Sequence, residues 1–298
     1  MEKNRIFLGM SSWAQLFFLG LFTFAGIILA ALIMAVAGGT SAEKMQSIDF
    51  LRIMQLIQTV CLFLLPACLC AYLFHKKPWD YLKINRLLDF KFLFFSLLLI
   101  IAIQPLISFS GYYNNLVTLP ESLSGLEHWM REMEESTKVL TERFLTTDSV
   151  EILLLNIFII AIMAGITEEF FFRGSMQQIF KKIFKNRHVA VWVTAFIFSF
   201  IHFQFYGFIP RLLLGAVLGY IFLWSGNLWM AVIIHAINNL MSVLIFHFYH
   251  GTPTYEQAEV MGTGDTLWLT AVSIIISGGI MFVLSRDYTK NNPEDFSI

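Results

Sequence analysis

The chain has 298 residues, 57% of them hydrophobic and 14% charged, with 31 phenylalanines, a formal net charge of −1 and a mean hydropathy of +0.69. A soluble domain of this length needs more charge on its surface, so this class is excluded. The near-neutral charge gives no basis for nucleic-acid binding, so no nucleic acid is expected as a partner.

Apolar runs near or above the roughly 18 residues that cross a bilayer as a helix recur along the chain. Eight are read, at about 14–37, 54–74, 92–110, 150–178, 189–204, 211–226, 229–249 and 266–285. The expected fold class is all-α, a polytopic membrane protein of about eight transmembrane helices with its working residues inside the bundle. Membrane lipids are its first expected partners.

The first run ends in Ala35-Val36-Ala37, which is similar to a signal-peptidase site. Its apolar core of about twenty residues exceeds the ~7–15 of a signal peptide, so an uncleaved span is expected. The second run holds all three cysteines, Cys61, Cys68 and Cys70. None is spaced as a zinc ligand, and they read as packing residues. Pro66 and Pro105 are expected to kink their helices. Between the third and fourth runs, Glu121 to Asp148 is polar, with Glu132, Glu134, Glu135 and Glu142 at helical spacing. This predicts an extracytoplasmic amphipathic helix, acting as a lid or as a solvated connector. Gly215-Ala-Val-Leu-Gly219 in the sixth run is a small-xxx-small pattern that lets two helices approach closely. The chain divides into an N-terminal region 1–149, a core 150–249 and a C-terminal region 250–298.

With the N-terminal Lys3 and Arg5 in the cytoplasm, inside segments collect 14 of the 20 Lys and Arg. The positive-inside rule then predicts a multi-pass protein of the cell membrane with both termini cytoplasmic.

Three of the later runs carry polar residues that lipid disfavours. The fourth holds Glu168, Glu169 and Arg173; the fifth ends in Phe198-Ser-Phe-Ile-His202; the seventh carries His235-Ala-Ile-Asn-Asn239. A charge stranded in hydrocarbon costs about 2.5–3.5 kcal/mol on insertion scales, so such groups face a cavity or one another. Glu169 and Arg173 are four apart, the favourable orientation for an ion pair, and so are His235 and Asn239. Glu168 and Glu169 point about 100° apart and so have different roles. The bland alternative is a polar network that only pins helices together.

Counting at 1.5 Å per residue puts Glu168 roughly 20 Å from the cytoplasmic surface if its helix runs on to Lys181 and Lys182. His202 comes to roughly 21 Å from His188, so the two levels agree. His235, counted from Asn227, is shallower by roughly 9 Å, so its helix must tilt or its boundary must move.

A carboxylate, two imidazoles and an amide suffice to hydrolyse a peptide bond. A buried Glu suits a general base that takes a proton from water. One His relays or orients, and a second His with an Asn donates to the developing oxyanion. The same Glu168, His202 and His235 are equally a zinc set with an open position. Spacing does not separate these two mechanisms.

Glu168-Glu169-Phe-Phe-Phe-Arg173, then Phe198-x-x-x-His202, then His235-x-x-x-Asn239 resembles the CAAX-protease and bacteriocin-processing (CPBP, or Abi) family of intramembrane proteases. The resemblance covers roughly residues 150–245, with the three motifs in the family's order and on separate apolar runs. It implies that Glu168 is the catalytic base, His202 its partner in activating water, and His235 with Asn239 the oxyanion stabilisers. Glu169 and Arg173 would shape the site. The implied substrate is a membrane-associated or lipidated protein or a peptide, with no cofactor required in the glutamate mechanism. The site is expected to open toward the cytoplasm.

Other intramembrane proteases fit less well. No His-Glu-x-x-His is present, and Gly262-Thr-Gly264-Asp265 lacks a second Asp in any apolar run, so it reads as a loop and helix cap. His247 and His250 read as interfacial residues. A non-catalytic immunity or scaffold protein of the same fold is the main rival, and a proton-coupled transporter a third, without evident repeats to support it.

Overall fold

The computed structural model describes residues 7–38 and 41–291, so Lys3 and Arg5 of the charge argument lie outside the described residues. The described residues are helical, with no strand. Seven helices are long and apolar enough to cross a membrane: α1 (Ser12–Gly38), α2 (Ile48–Phe74), α3 (Phe90–Asn115), α5 (Val150–Phe184), α7, which lies within Phe205–Ser225, α8 (Leu228–Tyr249) and α9, within Gly264–Arg286. A shorter apolar helix, α6 (Arg187–Phe200), supplies the eighth, and the polar α4 (Ser124–Leu145) lies between α3 and α5. The fold is that of a polytopic membrane protein. Large apolar side chains such as Phe17, Phe24 and Phe282 are more than 60% exposed, as a bilayer-facing surface requires.

Local chemistry sets the turns. α5 ends on Lys185 in a left-handed conformation, and Asn186 then caps α6 by accepting from the His188 and Val189 amides. α7 ends the same way on Gly226, and Asn227 caps α8 through the Trp229 amide. A left-handed residue followed by an Asn cap reverses the chain in the fewest residues. Both prolines coincide with breaks. Pro105 follows an interruption at Ile103, where the Gln104 side chain donates to the Ile100 carbonyl (2.8 Å). Pro66 follows a π-helical turn at Val60–Leu64, in which the Leu65 amide reaches back to Val60. Two further π-helical stretches, Ile157–Met163 and Phe172–Gln177, fall within α5.

The core lies where α5 meets α1, α2, α6 and α8. Phe170, Phe171 and Phe172 of α5 pack there with Phe198 of α6 and Leu228 of α8. α7 is packed along α6, α3 and α8, and α9 covers α3. The Gly215-x-x-x-Gly219 pattern makes the α6–α7 approach close: a Cβ at Gly215 would stand 3.1–3.3 Å from Phe198 and Ala195. The three cysteines are free thiols, two of them buried, in agreement with a packing role.

α4 is mostly exposed along its length and tied to the bundle at both ends. Near its start, Trp129 packs on Phe205, the Arg131 guanidinium lies 4.2 Å over the Tyr206 ring, and Glu134 accepts the Tyr206 amide at 3.0 Å. At its end, buried Arg52 of α2 donates to the Phe144 carbonyl (2.8 Å) and to Asn156 Oδ1 (3.0 Å) of α5. Asn156 donates to the same carbonyl at 2.6 Å.

Candidate active site

α6 stops after 14 residues, about 21 Å of helix, so the loop that follows it lies at membrane depth rather than at the far surface. His202 sits in that loop. Its Nδ1 is 2.6 Å from the Phe198 carbonyl, which can only accept, so Nδ1 carries the proton and Nε2 is left for the site. The Phe198 ring holds the centre together from below. It contacts the His202 ring at 5.0 Å and the His235 ring at 6.0 Å, and the Arg173 guanidinium stands 5.0 Å over it.

The two glutamates diverge as their helical angle requires. Glu169 is fully buried; its Oε1 accepts both Arg173 Nη1 (2.5 Å) and His235 Nδ1 (2.8 Å). Glu168 keeps 14% of its side chain accessible, with Oε2 3.9 Å from His235 Nε2. One imidazole therefore spans the pair, with Glu169 behind it and Glu168 in front. Asn239, one turn along α8, donates to the Ile160 carbonyl at 3.0 Å and accepts from Asn238 at 3.3 Å. Ile160 lies in a π-helical stretch of α5, where displaced backbone bonding leaves carbonyls to side-chain donors.

The level of His235 has a simple cause. The segment between α2 and α3 folds up against the bundle: Gln178 donates to the Tyr81 carbonyl, the Leu228 amide to Lys83 and the Trp229 indole to Ile84. Position 178 of α5 is thus level with the start of α8. Counted from there, Glu169 and His235 lie about 13 and 10 Å along their helices, and they meet without unusual tilt. The boundary error lay in α5, which runs about a turn and a half past the level at which α8 begins.

α5 and α7 run in the same direction in a fixed register. Arg173 Nη2 donates to the Gly215 carbonyl (2.7 Å) and Gln177 Nε2 to the Gly219 carbonyl (3.0 Å), both at an offset of 42 residues. The same offset puts Arg211 on α7 at the level of the two glutamates. Arg211 is held by Gln204, through Nη2 to Oε1 at 2.6 Å, and lies within Coulombic reach of Glu168, His202 and Glu134. A cavity of about 530 Å³ runs beneath α4 and the outer end of α8 to Gln204. Gln204, which holds Arg211, lines this cavity; Glu168, His202, His235 and Arg211 do not. The cavity at the basic end, where a cytoplasmic opening was expected, extends only to Gln177 and Gln178.

Residues 150–241 match the model of the family described as type II CAAX prenyl endopeptidase Rce1-like. This segment is similar to a CAAX endopeptidase core. The matched range contains every motif residue from Glu168 to Asn239, and the CPBP resemblance stands over it. No curated protein and no solved structure matches the chain significantly.

Within the Rce1-like segment, sequence reasoning missed Arg211, Gln204 and Gln177. An arginine four residues before Gly215, in an apolar run, was the available signal. Outside the segment it missed Arg52, whose partner Asn156 is also a polar residue inside an apolar run. Among the described residues no three His, Cys, Asp or Glu side chains form a group placed to hold a metal ion, Glu168, His202 and His235 included.

Proposed function

We propose that the protein is a glutamate-dependent intramembrane endopeptidase that cleaves a membrane-associated protein or peptide, of CAAX or bacteriocin or pheromone type. The carrying observation is the bridge in which Glu169 holds His235 Nδ1 at 2.8 Å while Nε2 faces Glu168 at 3.9 Å. A purely structural network has no need of an accessible carboxylate in front of a buried one.

In this reading Glu168 takes a proton from water, and the hydroxide adds to the scissile carbonyl carbon. His202, with its lone pair on Nε2, helps orient that water. The oxyanion accepts from His235 Nε2–H and from the second amide proton of Asn239. Donation from Nε2 requires His235 to carry both ring protons. Collapse of the intermediate expels the amine, which recovers its proton from Glu168. Glu169 and Arg173 act by positioning His235, and no metal or other cofactor is used. The protein would lie in the cell membrane with both termini cytoplasmic.

The test compares peptide and protein C-termini in host membranes carrying wild type or Glu168→Gln at matched expression. A defined set of ends that vanishes in the variant supports the protease and names its substrate class. Identical ends together with a retained wild-type phenotype would leave a non-catalytic immunity or scaffold protein in its place.

A further inference from the structure

At the end of the bundle away from α4 lies a cavity of about 460 Å³, lined by five cationic side chains. Lys83 and Arg86 come from the segment before α3, Lys181 and Lys182 from the last turn of α5, and Arg187 from the start of α6. Among the described residues that line it there is no carboxylate. Positive-inside bias explains basic residues at this end, but bias alone spreads them over loops. Here they converge on one concavity with an apolar floor that includes Phe222 and Trp224.

Several of these cations rest on aromatic faces. Lys83 Nζ is 5.0 Å from the centre of the Phe222 ring, Lys182 Nζ 5.2 Å from Tyr81, and Arg187 Cζ 5.6 Å from Tyr288. Ring faces position the cations around the concavity, and Arg86 adds a planar fork suited to phosphate oxygens. A basic pocket between helices, floored by apolar side chains, fits an amphiphile with a phosphate head.

We propose that this cavity binds a phosphate group, carried by an anionic phospholipid whose acyl chains leave along the apolar floor. The site is separate from the glutamate centre and does not depend on the protease reading.

The test uses the full-length protein in dodecyl maltoside, with native mass spectrometry and thermal melting as readouts. The probes are dioctanoyl phosphatidylglycerol, dioctanoyl phosphatidylcholine and inorganic phosphate. Phosphatidylglycerol is expected to add one mass and raise the melting temperature, with phosphatidylcholine at least tenfold weaker. The Arg86→Gln/Lys182→Gln variant is expected to lose phosphatidylglycerol affinity by tenfold or more, while Lys76→Gln/Lys77→Gln, outside the cavity, keeps it. An equal effect of inorganic phosphate at the same concentration supports the phosphate site and assigns it to a free anion. Equal binding of the two lipids to wild type overturns the proposal even if the double variant does not fold. So does phosphatidylglycerol binding that emerges only after removal of residues 292–298, since the acidic tail would then be the cavity's own occupant.

Discussion

In α1, 17% of the most apolar stretch is buried, and Trp13, Phe17 and Phe24 face outward; in the span that contains α7 the buried share is 44%. Both are membrane helices by composition. The difference lies in how much they bury: α7 presents Gly215, Gly219 and Arg211 to its neighbours along its length, whereas α1 approaches closely at Gly26, against the Cys61 carbonyl, and has open space beside Gly20. In a bilayer the apolar effect does not distinguish one helix face from another, so close packing and polar pairing decide which helices form the core.

The sharpest way to break that contrast is at the buried ion pair. Arg173→Met strands Glu169 without its cation and is expected to cost about 3–5 kcal/mol, against under ~0.5 kcal/mol for Phe17→Ala. Unfolding titrations in mixed detergent measure both; equal losses would mean the core is not where the polar pairs are.

Next comes a split between the two glutamates. Glu168→Gln is expected to lower cleavage by about 10²–10⁴-fold with the melting temperature retained. Glu169→Gln should lower both activity and melting temperature, because it weakens the hold on Arg173 and His235. If the two variants melt alike, the assignment of separate roles fails.

Glycine position gives a smaller contrast. Gly215→Val must push on Phe198 and Ala195 and is expected to cost about 1–3 kcal/mol, whereas a Cβ at Gly20 has nothing within 4 Å, so Gly20→Val should be near neutral. Thr59→Val removes the 2.6 Å bond to Thr167 that joins α2 to α5, worth about 0.6 kcal/mol by the average for interhelical bonds in membranes.

The mildest test lies outside the spans. His75 stacks on Tyr81 at 3.5 Å, and burial, then the charge of Lys182, lowers its pKa to about 4 from an ordinary 6.5. The unfolded chain thus binds more protons than the folded one between these values. Stability from this group is complete above pH 6.5 and declines as pH falls toward 4. Melting curves of wild type should show that decline, and His75→Gln should flatten it.

Much of the fold was legible, because a bilayer-length apolar run has few alternatives to a helix. Span limits missed by several residues where backbone bonding continues past the apolar stretch, as in α5, which runs on to Phe184. In the site, the i, i+4 spacing of Glu169 and Arg173 announced their contact because one helix sets it. Arg211 gave no such signal. Its place depends on the register between two helices, fixed by the Gly215 and Gly219 carbonyls, and backbone acceptors leave no trace in side-chain spacing. Arg52 and Asn156 meet over 104 positions for the same reason.

The shortness of α6 bears on how the protein is made. About 21 Å of helix cannot halt a translocating chain in a hydrocarbon core of about 30 Å, so α6 has no stable inserted state alone. It must partition into lipid as a hairpin with α7, after the turn at 201–207 has emerged. α5, which brings three charged residues into the bilayer, gains the Gly215 and Gly219 carbonyls that accept from Arg173 and Gln177 only when that hairpin arrives. Biogenesis is therefore cooperative across three helices, and a truncated chain ending after α5 should be recognised by membrane quality control as incomplete.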